Sequence, residues 1–249
     1  MIYVITYADK KFQAAQKYNE HSAYRHGADG VYKFGPSDID CEFKEKNQEI
    51  LISPRGNGYW LWKPYFIDKI LKRIKEGDWI VYTDSALYFN RNIHKYIEKF
   101  EKQGMNFVVQ ETKFLEKQFT KADVLSALEC DDEQYTNSKQ LAATVILLKN
   151  CVENRRLILE WLNYSQNKEL ISDDITKQNC EDFIENRHDQ SILSLLCKKR
   201  KVSIDNNLFR DIVLPFHRSA LLTYHHSIYA NKCMMFGASI IRVLKVIFG

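Results

Sequence analysis

The chain has 249 residues, of which 45% are hydrophobic, 27% charged and 13% aromatic, with only nine glycines and four prolines. That composition excludes collagen-like, low-complexity and wholly disordered chains, and the length is ample for a buried core. Net charge is +4; the one dense basic run, Lys198 to Lys201, reads as a solvated helix end and not as a nucleic-acid surface.

Residues 2–7, IYVITY, form an apolar β-rich run, and a helix is expected from about Lys10 to Arg25. A buried strand feeding a helix opens an α/β unit, and the loop after it lies at the strand's carboxyl end, where open α/β sheets bind ligands. Residues 27–58 lack periodicity and hold most of the glycines, so they read as loops. Pro64 is expected as the first residue of a helix reaching about Lys75. Trp79 to Tyr82 read as a buried strand, His94 to Lys102 as a helix and Asn106 to Gln110 as a strand. Residues 118–130 suggest a helix with Thr120 as its N-cap. Gln140 to Leu148 then read as one strand, Asn150 to about Gln166 as a helix and 167–185 as a loop with one turn. His188 to Lys199 read as a helix and Val202 to Ile204 as a late strand. The β-α-β alternation predicts an α/β fold with a central, mostly parallel sheet flanked by helices. One domain is expected over 1–218, with an appendage over 219–249.

Three segments could carry chemistry. Asp84 follows the strand in IVYTDSA; at the sheet's ligand edge its carboxylate either holds a divalent cation by oxygen ligation or caps a turn. ENRHDQS over 185–191 concentrates an acid, a base, an amide and a cation at a helix start. It either caps that helix or hydrogen-bonds sugar hydroxyls and stabilises developing positive charge. RGNGYWLWKP over 55–64 offers aromatic stacking faces and, in Lys63, a phosphate partner; its other reading is a packed aromatic corner. His217, His225 and His226 are each either one metal ligand or ordinary packing residues. Serine-hydrolase, dinucleotide-binding and P-loop signatures are absent from the sequence.

The six cysteines lack metal-type spacing and are expected as free thiols in a reducing cytoplasm. No signal peptide or membrane-spanning run is read from the sequence. Beyond Ala230, apolar residues alternate with Arg242 and Lys245 and no acid. That pattern suggests an interfacial helix on anionic lipid, or a helix docked on the domain or on a second subunit.

In chain order, RGNGYWLWKPYFI, GDWIVYTDSA, QLAATVILLKN and ENRHDQSIL resemble bacterial glycosyltransferases of the GT-A type, of the kind encoded in capsule and lipopolysaccharide O-antigen clusters. The resemblance covers roughly residues 50 to 195. It implies a GT-A-like domain that moves a sugar from a nucleotide-sugar donor to a glycan acceptor, oligosaccharide or lipid-linked. It implies donor binding by Thr6, Tyr7, Ala8, Arg55, Tyr59, Trp60, Lys63, Asp84 and Ser85. Asp84 matches the first position of a DxD-like motif for Mn²⁺ or Mg²⁺, while Ala86 replaces the second acid and leaves that ligand to a residue elsewhere, such as a C-terminal histidine. Gln140 to Thr144 align with the strand that floors the sugar site. Asp189 and Gln190 match the catalytic DQ pair of retaining enzymes, which implies retention. The expected location is the cytoplasm, at the inner face of the membrane, with no nucleic-acid partner. The competing reading is a non-catalytic nucleotide- or carbohydrate-binding protein on the same fold.

Overall fold

The structure is a computed structural model and describes residues 1–215. Its elements, in order, are β1 (Ile2–Tyr7), α1 (Gln13–Arg25), β2 (Gly30–Phe34), α2 (Cys41–Lys46), α3 (Gln48–Leu51), α4 (Gly56–Tyr59) and α5 (Trp62–Leu71). Next come β3 (Trp79–Thr83), β4 (Leu87–Phe89), α6 (Ile93–Lys102), β5 (Phe107–Val109), β6 (Glu111–Leu115), α7 (Glu116–Phe119), α8 (Ala122–Ala127) and α9 (Glu133–Thr136). The remainder are β7 (Lys139–Leu141), β8 (Val145–Lys149), α10 (Val152–Ser165), α11 (Lys168–Ile171), α12 (Asp189–Lys199), β9 (Ser203–Ile204), α13 (Leu208–Asp211) and β10 (Val213–Pro215).

Among the described residues the central sheet has six strands in the order β2-β1-β3-β8-β5-β9. The expected α/β class with a mostly parallel sheet is what is observed, with one exception: β8 runs against both its neighbours, β3 and β5. Strand alternation divides the core. Ile5, Ile80, Tyr82, Ile146 and Leu148 face a layer containing Phe66, Trp161 and Leu193. Val4, Val81 and Leu147 face the opposite layer with Ala23, Ile97 and Phe100. Both faces of β1, β3 and β8 are thus covered, which is why these strands read as continuous apolar runs and not as alternation.

Several boundaries differ from the sequence reading for identifiable reasons. Helix α1 starts later than Lys10 because the Asp9 side chain accepts the Lys11 and Phe12 amides and holds a turn there. The segment read as loops over 27–58 contains β2, which among the described residues is an edge strand paired only with β1, and three short helices. Half-exposed edge strands carry a weak apolar signal. Pro64 is the third residue of α5, not the first; it still lies in the first turn, where its missing N–H loses no bond. The helix read over 118–130 is two pieces. Thr120 is not an N-cap: its hydroxyl donates to Glu116 Oε2 at 2.5 Å. Lys121 is drawn inward to the carbonyls of Ser172 (3.0 Å) and Asp174 (2.5 Å), which breaks the helix. The strand read over 140–148 is interrupted at 142–144. Cys41, Cys130, Cys151, Cys180 and Cys197 are free thiols. Among the described residues, no helix is long and apolar enough to cross a membrane. His217 lies outside the described residues, as does the appendage over 219–249 with His225, His226 and the expected interfacial helix.

Gly56, Asn57, Gly58, Tyr59 and Trp60 all have positive φ (59°, 51°, 89°, 52° and 61°). They form one left-handed turn, closed by Tyr59 N–H to Arg55 O at 2.8 Å and Trp60 N–H to Gly56 O at 3.3 Å. Such a conformation costs roughly 1–2 kcal/mol at each residue with a Cβ. Gly58 and Gly77 share a φ of 89°, but a Cβ on Gly58 would lie 2.8 Å from Leu51 Cα, whereas one on Gly77 meets nothing within 4 Å. Gly77→Ala should therefore cost about 1 kcal/mol, and Gly58→Ala roughly 2 kcal/mol more. Paired urea melts check this; equal losses would contradict it.

Candidate functional site

The parallel pairing of β1 with β3 puts their carboxyl ends on one edge of the sheet. Reversed β8 brings its amino end to the same edge: Val145 pairs with Thr83, and the Asp84 amide donates to Thr144 O at 3.0 Å. The start of α5 meets this edge through Trp62, whose ring stacks on Tyr7 with centroids 3.7 Å apart.

Lys63 lies at the centre, with its side chain only 4% exposed. Its Nζ is 3.0 Å from Asp189 Oδ2, 3.8 Å from Asp84 Oδ1 and donates to Ala143 O at 3.1 Å. Burial works against the ammonium, but Asp189 and Asp84 outweigh it and hold Lys63 above its ordinary pKa. Tyr82 donates its hydroxyl to Asp84 Oδ1 at 2.7 Å, and burial with the adjacent Asp84 charge pushes that phenol well up. Asp189 is buried at the first position of α12. Burial raises its pKa to about 6, with Lys63 pulling in the opposite direction. Trp161 Nε1 donates to the Asp189 carbonyl at 2.8 Å.

The residue before Asp189 is held in an uncommon backbone state. His188 has φ 53° and ψ −117°, a region favourable mainly to glycine. Its Nδ1 lies 2.7 Å from Ile171 O; a carbonyl only accepts, so Nδ1 carries the proton. Tyr59 and Trp60 pack against the imidazole, with centroids 4.9 and 5.4 Å away. Burial lowers the His188 pKa to about 4, so the ring is neutral at pH 7. The left-handed turn and the strained His188 therefore support one another.

The structure brings Lys63, Asp84, Asp189 and Gln190 to one place. Gln190 Oε1 accepts the Ala143 amide at 3.1 Å, and its Nε2 donates to Gln140 Oε1 at 2.7 Å. Its amide is thus engaged by protein. Ser85 is buried next to Asp84. Tyr7 is buried with one face against Trp62, so that face is closed to a base. Thr6 and Ala8 are buried, and Ala8 N–H donates to Phe34 O at 3.0 Å. Tyr59 and Trp60 spend a face on His188. Arg55 stands at the rim, pairing with Asp173 at 3.1 Å and Glu185 at 3.0 Å. Reasoning from sequence takes His188 only as one member of the 185–191 cluster and misses its packing against Tyr59 and Trp60; it misses Trp161 as a site residue, since nothing local relates that ring to the Asp189 carbonyl.

A divalent cation was expected on Asp84. One of its oxygens takes the Tyr82 hydroxyl, Lys63 stands close by, and Ala86 supplies no ligand. Among the described residues, no group of three His, Cys, Asp or Glu could hold a metal ion. These residues alone do not fit a divalent cation.

No protein-family model matches the chain, and no curated protein matches it. Among solved structures, the apo form of WbbM, a bifunctional glycosyltransferase, is similar with a TM-score of 0.53 and 10% identity. The chain has the fold of a glycosyltransferase structure. The match covers 84% of this chain and 39% of WbbM, so the chain spans well under half of that relative's length. Apo mouse xyloside xylosyltransferase 1 gives a TM-score of 0.43 and 10% identity over 82% of this chain and 83% of that one. A glycosyltransferase involved in glycosylating the major capsid of PBCV-1 gives 0.37 and 11% over 65% of each chain.

The site makes a pH prediction. Asp189 should titrate near pH 6 in the folded chain, read by carboxyl ¹³C NMR, and Lys63→Met should move that midpoint upward by a unit or more. Between the ordinary carboxylate value of 3.8 and about 6, the folded state keeps a proton that the unfolded state releases. The Asp189 contribution to stability therefore falls as pH rises through that window. A midpoint at or below 4 in the wild-type chain would contradict the burial account.

Proposed function

We propose that the chain is a glycosyltransferase that moves a sugar from a nucleotide-sugar donor to a hydroxyl of a glycan acceptor. The observation that carries this reading is the cluster of buried Lys63 and Asp189 with partly exposed Asp84 at the carboxyl ends of β1 and β3, on a fold shared with WbbM. A nucleotide docked at that edge would place its diphosphate beside Asp84, Ser85 and Lys63 and its sugar beside Asp189. The bond from the anomeric carbon to the diphosphate breaks, a bond from that carbon to the acceptor oxygen forms, and the acceptor's hydroxyl proton passes to the departing diphosphate oxygen. The ionised Asp189 carboxylate stabilises positive charge growing on the sugar ring, and the Lys63 ammonium offsets the negative charge growing on the departing diphosphate. No step passes through a metal, because among the described residues no group of three His, Cys, Asp or Glu could hold one at this edge.

Arg55, Tyr59 and Trp60 frame the donor side in this proposal, and Thr6, Tyr7 and Ala8 shape the floor near the base. Retention of configuration is the proposed course, supported by the Asp189-Gln190 pair at the helix start. The same motif resemblance supports a role in surface polysaccharide synthesis, with an oligosaccharide or lipid-linked acceptor at the inner face of the cytoplasmic membrane. Membrane contact through 219–249 belongs to this proposal.

The test is a screen of nucleotide sugars for hydrolysis and transfer, with product configuration read by NMR. One donor should be turned over. Asp189→Ala should lower kcat on the order of 100-fold or more, and Asp84→Ala should weaken donor use on the order of 10-fold or more. Nucleotide binding without turnover of any donor would favour the non-catalytic reading, and full activity in both variants would overturn the site assignment.

A further inference from the structure

A buried acid lies outside the cluster described above. Glu116, the first residue of α7, is fully buried. Its Oε1 accepts from Lys198 Nζ at 2.7 Å and from the Ser194 hydroxyl. Its Oε2 accepts from the Thr120 hydroxyl at 2.5 Å and lies 3.4 Å from Gln140 Nε2. Burial of an ionised carboxylate is costly even with a paired ammonium and hydroxyl donors, so this arrangement is more than a helix needs for capping.

The polarity of the contacts runs one way. Gln140 Nε2 faces Thr120 Oγ1 at 3.0 Å and Phe119 O at 3.1 Å. Thr120 has committed its proton to Glu116, and a backbone carbonyl only accepts, so this end of Gln140 must be its NH₂ group. Its Oε1 must then face Gln190, whose Nε2 donates to it at 2.7 Å. At the far end, the Ala143 amide only donates and requires the Gln190 carbonyl, at 3.1 Å. Neither amide can flip without setting two donors or two acceptors against each other. The Ala143 backbone is then held on both sides, by Gln190 at its N–H and by Lys63 at its C=O, 3.1 Å away. Lys63 closes the circuit on Asp189, the residue adjoining Gln190.

We propose that Glu116 is a positioning residue for the reaction: through Thr120, Gln140 and Gln190 it fixes the Ala143 backbone and with it the Lys63–Asp189 pair. This rests on the glycosyltransferase reading of that pair. Gln190, in the same account, also positions and is not the attacking group, since both ends of its amide are engaged. Replacing Glu116 by glutamine keeps the shape but changes the polarity. Lys198 can only donate, so it claims the new carbonyl oxygen, which turns an NH₂ group toward Thr120 and Gln140. The donor–donor conflict frees the Gln140–Gln190 chain.

The experiment uses the full chain, with thermal melts confirming that each variant is folded. Glu116→Gln and Gln140→Met should each lower kcat on the order of 10-fold, with KM for the donor within about twofold. The double variant should lose no more than either single one, because both cut the same chain. Independently of turnover, ¹⁵N-glutamine NMR should show slow exchange of the Gln190 side-chain amide in the wild type and fast exchange in Glu116→Gln. Should Glu116→Gln fail to fold, Thr120→Val breaks the same link and must give the same pattern. Unchanged kcat in the folded variants, losses that multiply in the double variant, or unchanged Gln190 exchange would each overturn the proposal. If the wild-type chain turns over no donor, the transferase reading fails, and the exchange measurement alone decides whether Glu116 orders Gln190.

Discussion

Lys63 places an ammonium where water barely reaches, and a charge so buried must find partners within the protein. Its partners come from three separated parts of the chain: Asp84 after β3, the Ala143 carbonyl before β8, and Asp189 at the start of α12. Each of these segments must end or begin at the same sheet edge for the charge to be satisfied. That requirement is consistent with the reversal of β8, the interruption at 142–144 and the placement of a carboxylate at the first position of α12. The partners do not balance fully: two carboxylates face one ammonium, and burial leaves Asp189 with a pKa near 6. A site with one carboxylate poised to titrate and one cation held charged is suited to stabilising opposite charges that develop on the two sides of a breaking bond.

Backbone strain surrounds this pair. The left-handed turn over Gly56 to Trp60 ends three residues before Lys63, and the strained His188 leads directly into Asp189. The two meet where Tyr59 and Trp60 pack on the imidazole. Trp62 Nε1 bonds back to Gly56 O at 2.8 Å, and Asn57 reaches Asp9 Oδ2 at 3.4 Å, so the turn is also tied to the loop after β1. Strain of this kind persists only where surrounding contacts over-determine it. Here those contacts orient the two charged residues from their own backbones.

Much of the scaffold was legible because burial on both faces makes β1, β3 and β8 continuous apolar runs. Asp84 and Asp189 stood out because each carboxylate follows or opens an element at a position exposed to the sheet's ligand edge. Lys63 was noticed as a cation near a helix start, but its pairing with Asp189 was not, since no local period relates them. The edge strand β2 was invisible for lack of a buried face. Gln140 and His188 lie in segments that the sequence marks, but their contacts join distant parts of the chain and no local pattern foretells them; Glu116 is not marked at all. Thr120 misled the reading: a threonine before a helical stretch looks like a cap, yet its proton goes to a buried acid.

The central claim is that the Lys63–Asp84–Asp189 edge is the donor site. A crystal structure of the chain with a non-hydrolysable analogue of the donor found by screening tests it most directly. The account predicts the diphosphate beside Asp84 and Lys63 and the sugar against Asp189. A fully occupied analogue elsewhere on the surface, with this edge unchanged, would contradict it.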